Sequence, residues 1–196
     1  MKELKNRRKD IEKLVLLALL TAIVAVLSYF GGFIKIGGLA SISLTLIPVV
    51  LGSAVLGPAA GALLGGVSGV VFFATADAAF WFGLSIPGTI ITVLVKGIAA
   101  GYLAGLVYTL LEKRNRYIAV LTSAVVCPVV NTGIFLLGSV VFFLDFVKDS
   151  AVEKGLSPFA FLIIVMVGLN FVFELLVNVI ISPAILRIIN IKKINE

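Results

Sequence analysis

The sequence predicts an all-α integral membrane protein, a bundle of six transmembrane helices with both termini cytoplasmic. Three observations predict it. The 196 residues are 61% hydrophobic and 13% charged, with a mean hydropathy of +1.21, where a soluble domain sits near half apolar and a quarter charged. The apolar residues fall into six stretches near the length a helix needs to cross hydrocarbon. Lys and Arg gather in short segments beside those stretches, the pattern of membrane topology rather than of nucleic-acid binding, so the net charge of +6 implies no nucleic acid. One domain, 1–196, is expected, with 1–13 as a basic cytoplasmic segment.

The stretches run roughly over 14–30, 42–56, 58–76, 87–111, 117–143 and 158–187. The first follows "MKELKNRRKDIEK", which resembles the charged head of a secretory signal. The run from Leu14 to Phe30 is too long for a signal core and lacks an A-x-A site, so a retained helix is expected. The second is short, and Pro48 is expected to kink it. "LGPAAG" then predicts a tight hairpin into the third.

Basic residues set the orientation. Lys2, Lys5, Arg7, Arg8, Lys9 and Lys13 precede the first span, Lys113, Arg114 and Arg116 separate the fourth and fifth, and Arg187, Lys192 and Lys193 close the chain. With six spans these regions share one side, against Lys35, Lys148 and Lys154 on the other. The more basic side is cytoplasmic. "GGFIKIGGLAS", "DAAFWFGLSIPG" and "DFVKDSAVEKGLSP" then face outward, and a mouth with mobile loops is expected there.

Glycines recur every fourth residue at Gly57, Gly61, Gly65 and Gly69, and again at Gly97, Gly101 and Gly105. Small residues on one face let helix backbones approach closely in lipid, so close packing is expected. "GVSG" also fits the G-x-S-G of intramembrane serine proteases, but the chain has no His to act as base. One Cys, Cys127, excludes a disulfide within the chain, and no Cys/His set exists for a metal; no cofactor is expected. An enzyme is not expected.

The chemistry-bearing residues lie at membrane depth, where a charge costs about 3 kcal/mol on insertion scales and so demands a partner or a role. They are Lys96 in span four, Asn131 and Thr132 in span five, and Asn170, Glu174 and Asn178 in "GLNFVFELLVNVI" of span six. The last three are four residues apart and form one helical stripe. Two arrangements follow: Lys96 and Glu174 neutralise each other within the bundle, or these residues line an outward-opening polar pocket. The two overlap, because an internal pair can also frame a ligand pocket. Counted along straight helices, Lys96 lies roughly 14 Å and Glu174 roughly 24 Å deep, a difference that tilt would have to absorb. Phe80, Trp81 and Phe82 either stack on a ligand ring at the mouth or form an interfacial belt.

No G-x-x-x-x-G-K-[ST] motif is present, and neither an inverted repeat nor an ion relay is visible. A small pocketed membrane protein without its own motor suggests a binding subunit that borrows one.

Several stretches carry a family resemblance: "ALLTA", with Ala18 and Ala22 as an A-x-x-x-A, "SLTLIPVVLGSAVLGPAAGALLGGVSG" across spans two and three, and "VVNTGIFLLG" in span five. With these the chain resembles the substrate-binding S-components of energy-coupling-factor (ECF) transporters, over nearly its whole length. The resemblance implies a subunit of the prokaryotic plasma membrane that binds a small water-soluble vitamin from outside. It also implies a transmembrane coupling protein, docked on the Ala18–Ala22 face, and two ATPases. The pocket implied is built from the outer halves of spans four to six and the loop after span one. Lys96, Asn131, Asn170, Glu174, Asn178 and Trp81 are the substrate-binding candidates. Lys96 suits a carboxylate or phosphate, which makes pantothenate the first guess, with pyridoxine-type vitamins, riboflavin and folate open. The alternative function is a stand-alone secondary carrier or channel for a small polar solute.

Overall fold

The computed structural model describes residues 2–31 and 43–194, with side chains over 7–31 and 43–191. Lys35 and the connection after the first span, and the side chains of Lys2, Lys5, Lys192 and Lys193, lie outside the described residues. The chain forms α1 (Lys2–Gly31), α2 (Leu46–Leu56), α3 (Pro58–Phe72), α4 (Ala76–Leu84), α5 (Ile86–Leu111), α6 (Arg116–Phe142), α7 (Leu144–Glu153), a single turn α8 (Pro158–Ala160), a π-helical segment (Phe161–Val167) and α9 (Gly168–Ile194). No strand occurs among the described residues.

Three helical segments within 7–31, 86–111 and 116–142, and a fourth over 158–191, are long and apolar enough to cross a membrane. The pair α3 and α4 passes the same test together but is bent by 83°. The eleven residues of α2 extend about 16 Å, roughly half of the hydrocarbon thickness.

Close contacts fix the relative directions. Gly57 is the one-residue joint between α2 and α3, and its φ of 99° is a conformation that a Cβ disfavours. Pro58 follows as the first residue of α3, where its missing N–H costs nothing. Gly61 lies against Ser53, and Ser68 Oγ donates to Thr45 Oγ1 at 3.3 Å, so α2 and α3 form the predicted hairpin. Pro48 produces no mid-helix kink. It falls in the first turn of α2, where its amide would have had no helical acceptor.

The glycine pattern packs α3 on α5 as expected. Gly61 meets Gly101, Gly65 meets Gly97, and Gly69 lies against Val93. The contacts run backbone to backbone, so the helices are antiparallel and nearly touching. Gly57 is not part of this seam, because it is the hinge of the hairpin. Gly105 packs instead on Pro58. On the other side of α5, Gly138 of α6 meets Thr92, and Ser123 Oγ donates to the Ala104 carbonyl at 2.7 Å. At the far end of α6, Arg116 Nη1 donates to Asn190 Oδ1 of α9 at 3.4 Å. Ser28 Oγ donates to Ser68 Oγ at 2.8 Å, and earlier in both helices Leu20 and Leu64 converge at Gly52, so α1 runs parallel to α3. The alternation places the start of α1, the 112–115 turn and the end of α9 at one end of the bundle. The basic residues therefore gather there.

One apolar core, including Leu20, Val24, Val50, Leu64, Tyr108 and Ile185, fills the basic half. A second, around Trp81, Phe143, Val147, Phe161 and Met166, closes the opposite half. Of the three loops expected at that end, the two within the described residues are largely helical. Residues of "DAAFWFGLSIPG" form α4, and those of "DFVKDSAVEKGLSP" form α7, whose Val147 and Ala151 are buried. Apolar residues spaced four apart let α7 bury one face, a signal too short to read as a helix from sequence alone.

Candidate functional site

The membrane-depth polar residues converge in the half away from the basic ends. A large cavity, ≈ 810 Å³ counted to its open mouth, lies among α1, α3, α4, α5 and α6. Its walls include Ser28, Ser68, Asp77, Trp81, Thr92 and Lys96. A smaller chamber of ≈ 330 Å³ lies between α5, α6 and α9, lined by Lys96, Asn131, Thr132, Asn170, Phe171 and Glu174 among others. Ser43, Lys96 and Phe135 border both spaces, so the two adjoin.

Lys96 stands at the junction. It projects from α5 one residue before Gly97, whose contact with Gly65 holds that turn of helix in place. Its Nζ lies 5.1 Å from the centroid of the Phe135 ring, a cation–π contact that keeps the ammonium between the two spaces.

The stripe on α9 faces inward as its four-residue spacing predicts. Asn170, Glu174, Asn178 and Ser182 are all buried, while Phe173, Leu176 and Ile180 on other faces are exposed. Glu174 Oε1 accepts the backbone N–H of Ser43 at 2.7 Å, which ties α9 to the entry of α2. Its Oε2 is buried with no hydrogen-bond partner among the described residues. Asn178 lies deeper and outside both cavities. Its Nδ2 donates to the Glu174 carbonyl at 2.8 Å, and it is 1% exposed. Lys96 and Glu174 share the chamber, and among the described residues they form no contact ion pair.

The straight-helix count that separated Lys96 and Glu174 in depth does not apply. A π-helical segment and a break at Gly168 (φ 51°, ψ −143°) precede Glu174. That backbone conformation is essentially open to glycine alone. It starts α9 afresh beside the small chamber, with Asn170 in its first turn.

Trp81 is 7% exposed and lines the large cavity. Its ring stands edge-on to Phe135 at 5.4 Å and packs on Phe143 at 5.3 Å. Phe80 is 47% exposed, and Phe82 packs on Phe73 at 5.6 Å. The aromatic triplet therefore divides: Trp81 belongs to the cavity and Phe80 to the surface. The backbone of Trp81 is pinned to α5, because Thr89 Oγ1 donates to its carbonyl at 2.8 Å.

Sequence reasoning passed over Ser43, Phe135 and the hydroxyls of Ser28, Thr45, Ser68 and Thr92. Isolated hydroxyls in apolar spans carry the same signal as the Asn and Glu stripe, in weaker form. Ser28, Ser68 and Thr45 form a hydrogen-bonded chain along the cavity wall, while Thr92 Oγ1 is buried with no partner among the described residues. Ala18 and Ala22 lie far from both cavities on the exposed face of α1, beside Leu14, Val15 and Leu19. Among the described residues, no group of His, Cys, Asp and Glu could hold a metal.

The described residues thus form a bundle with several helices apolar and long enough to cross a membrane, and with two adjoining cavities at one end that are lined in part by polar side chains. Residues 12–186 match the family described as ECF transporter, substrate-specific component. The chain belongs to that family and is a substrate-specific subunit of an ECF transporter, a multi-pass membrane protein. No curated protein and no solved structure matches it significantly.

Proposed function

We propose that this subunit binds a small water-soluble vitamin from outside the cell in the adjoining cavities, for ATP-driven import with a coupling protein and two ATPases. The observation that carries the reading is the convergence of Lys96, Asn131, Asn170, Glu174 and Trp81 on two contiguous cavities in one half of the bundle. Buried polar groups in hydrocarbon need partners, and a polar solute supplies them. Lys96 offers the substrate's acceptor a charged donor, the Asn side chains offer both donors and acceptors, and Trp81 and Phe135 offer aromatic walls. Pantothenate is the first candidate, followed by pyridoxine-type vitamins, riboflavin and folate.

The same reading gives six crossings of a prokaryotic plasma membrane, with both termini cytoplasmic. In support, α1, α2, α3, α5, α6 and α9 alternate in direction, and the basic residues gather at one end. The short α2 and bent α3–α4 would border the polar cavity rather than lipid alone. Ala18 and Ala22 would form the docking face for the coupling protein, since small side chains leave a shallow groove for another helix.

The test is uptake of radiolabelled vitamin into proteoliposomes. Transport that needs the coupling protein, the ATPases and ATP is the expected result. Uptake by this chain alone, driven by an ion gradient, would instead make it a secondary carrier.

A further inference from the structure

The two ionisable side chains of the small chamber have an arrangement that specifies more than a polar solute. Lys96 brings a positive donor to one wall. Glu174 brings an acceptor to another, and only one of its oxygens is engaged. Oε1 takes the Ser43 N–H at 2.7 Å, and Oε2 has no partner among the described residues although Glu174 is 5% exposed. Both side chains line the same chamber, and no ion pair joins them among the described residues, so a group inside the chamber can meet both. Their charges already cancel, so a further net charge there would be left uncompensated in a low-dielectric site.

We propose that the small chamber reads an adjoining acceptor and donor on the substrate: the acceptor on the Lys96 ammonium, the donor on Glu174 Oε2. The group is neutral overall, like a carbonyl beside an N–H or O–H, or zwitterionic. A carboxylate without a neighbouring donor does not fit. The remainder of the substrate extends past Phe135 into the large cavity, where Trp81 and Phe143 supply apolar walls and Ser28, Ser68 and Thr92 supply hydroxyls. The inference rests on the vitamin-binding reading and specifies which end of the vitamin enters first. For pantothenate it is the hydroxyl and amide end, with the carboxylate directed away from Glu174.

Glu174→Gln is the informative substitution. The Ser43 N–H needs an acceptor, so it holds the amide oxygen of the new side chain at the Oε1 position. The NH₂ then points where Oε2 did, and a donor faces the substrate's donor. Calorimetry on purified wild type, Glu174→Gln and Lys96→Met is run with pantothenate, pantothenol, pyridoxine, riboflavin and folate as probes. The expected result is that at least one probe binds the wild type and that each variant weakens it by about tenfold or more, the scale of a lost charged hydrogen bond. If the probe is pantothenate, pantothenol should bind comparably, because the carboxylate lies outside the small chamber.

The wild-type protein provides a second reading should a variant fail to fold. Ligand-induced infrared difference spectra should show the Glu174 carboxyl band shift as Oε2 gains a hydrogen bond. A probe that binds wild type and both folded variants with equal affinity, or that leaves the carboxyl band unmoved, overturns the inference while the vitamin reading stands. Pantothenate binding with pantothenol excluded also overturns it, in favour of a direct carboxylate contact. Failure of every probe to bind the wild type overturns the vitamin reading, and this inference with it.

Discussion

Gly65→Ala should destabilise the bundle and loosen the site in one step. A methyl group at Gly65 would meet the carbonyl oxygen and carbon of Gly97, and the reciprocal methyl at Gly97 would meet those of Gly65. These are backbone atoms on two packed helices, so no side chain can rotate away. Restoring ordinary contact requires α3 and α5 to part by on the order of 1 Å. Overpacking of this kind costs about 1–3 kcal/mol, with rigid obstacles at the upper end. The better helix propensity of Ala returns about 1 kcal/mol, leaving a net loss of about 2 kcal/mol. At this chain length that lowers the melting midpoint by roughly 4–8 °C. Gly66→Ala is the control. Its methyl would meet only the Ile98 side chain, at 3.3 Å from Cγ1, which can yield, so this variant should melt at or slightly above wild type. Because Gly97 adjoins Lys96, only Gly65→Ala should also weaken ligand binding. Thermal melts and calorimetry on the three purified proteins decide it. A Gly65→Ala protein as stable as wild type, or equal losses in both variants, would refute close backbone contact as the reason for the glycine repeat.

Three further outcomes are expected. In whole cells, an impermeant thiol reagent should label Lys148→Cys and leave Arg114→Cys unlabelled, in a Cys127→Ala background; the opposite pattern would invert the topology. Ala18→Trp or Ala22→Trp should leave ligand affinity within about twofold while reducing coupled uptake by about tenfold or more, since a ring fills the groove on α1 but touches neither cavity. Unchanged uptake with both replaced would remove the docking face. Gly168→Ala should cost about 1–3 kcal/mol, the strain of a Cβ in that backbone conformation, measurable as a lowered melting midpoint; full stability would mean that the break between the π-helical segment and α9 is dispensable.

What was legible in the sequence is what periodicity encodes. The long apolar helices, the inward stripe of Asn170, Glu174 and Asn178, and the seam of Gly61, Gly65, Gly97 and Gly101 all repeat at helical spacing, and each lies on the face its spacing implies. The hairpin at Gly57 was legible because Gly followed by Pro both ends one helix and starts the next. What was not legible depends on neighbours remote in sequence. The Ser43 N–H reaches Glu174 across 131 positions. Asn178 has the same spacing as its stripe partners, yet it turns to the Glu174 carbonyl below the chamber instead of lining it. The helical fold of the connections holding α4 and α7 was missed because these helices are nine and ten residues long, too short for apolar spacing to stand out from the aromatic and charged residues around them.

The position of α5 ties these elements to one another. One of its faces is fixed to α3 by glycines and another to α6 by Thr92 against Gly138, and Lys96 lies between these contacts, next to Gly97 and four residues after Thr92. A lysine on a long flexible stem would ordinarily reach toward water from membrane depth. Here its base is held by two close-packed helix interfaces and its ammonium by the face of Phe135. Glu174 is fixed in the same manner, by the restart of α9 at Gly168 and by the Ser43 N–H. A donor and an acceptor held apart by the scaffold lose little conformational freedom when a ligand enters between them, and such preorganisation converts contacts into affinity. On the proposed reading, the glycine seams would be as necessary to substrate recognition as Lys96, whose stretch of α5 they hold in place.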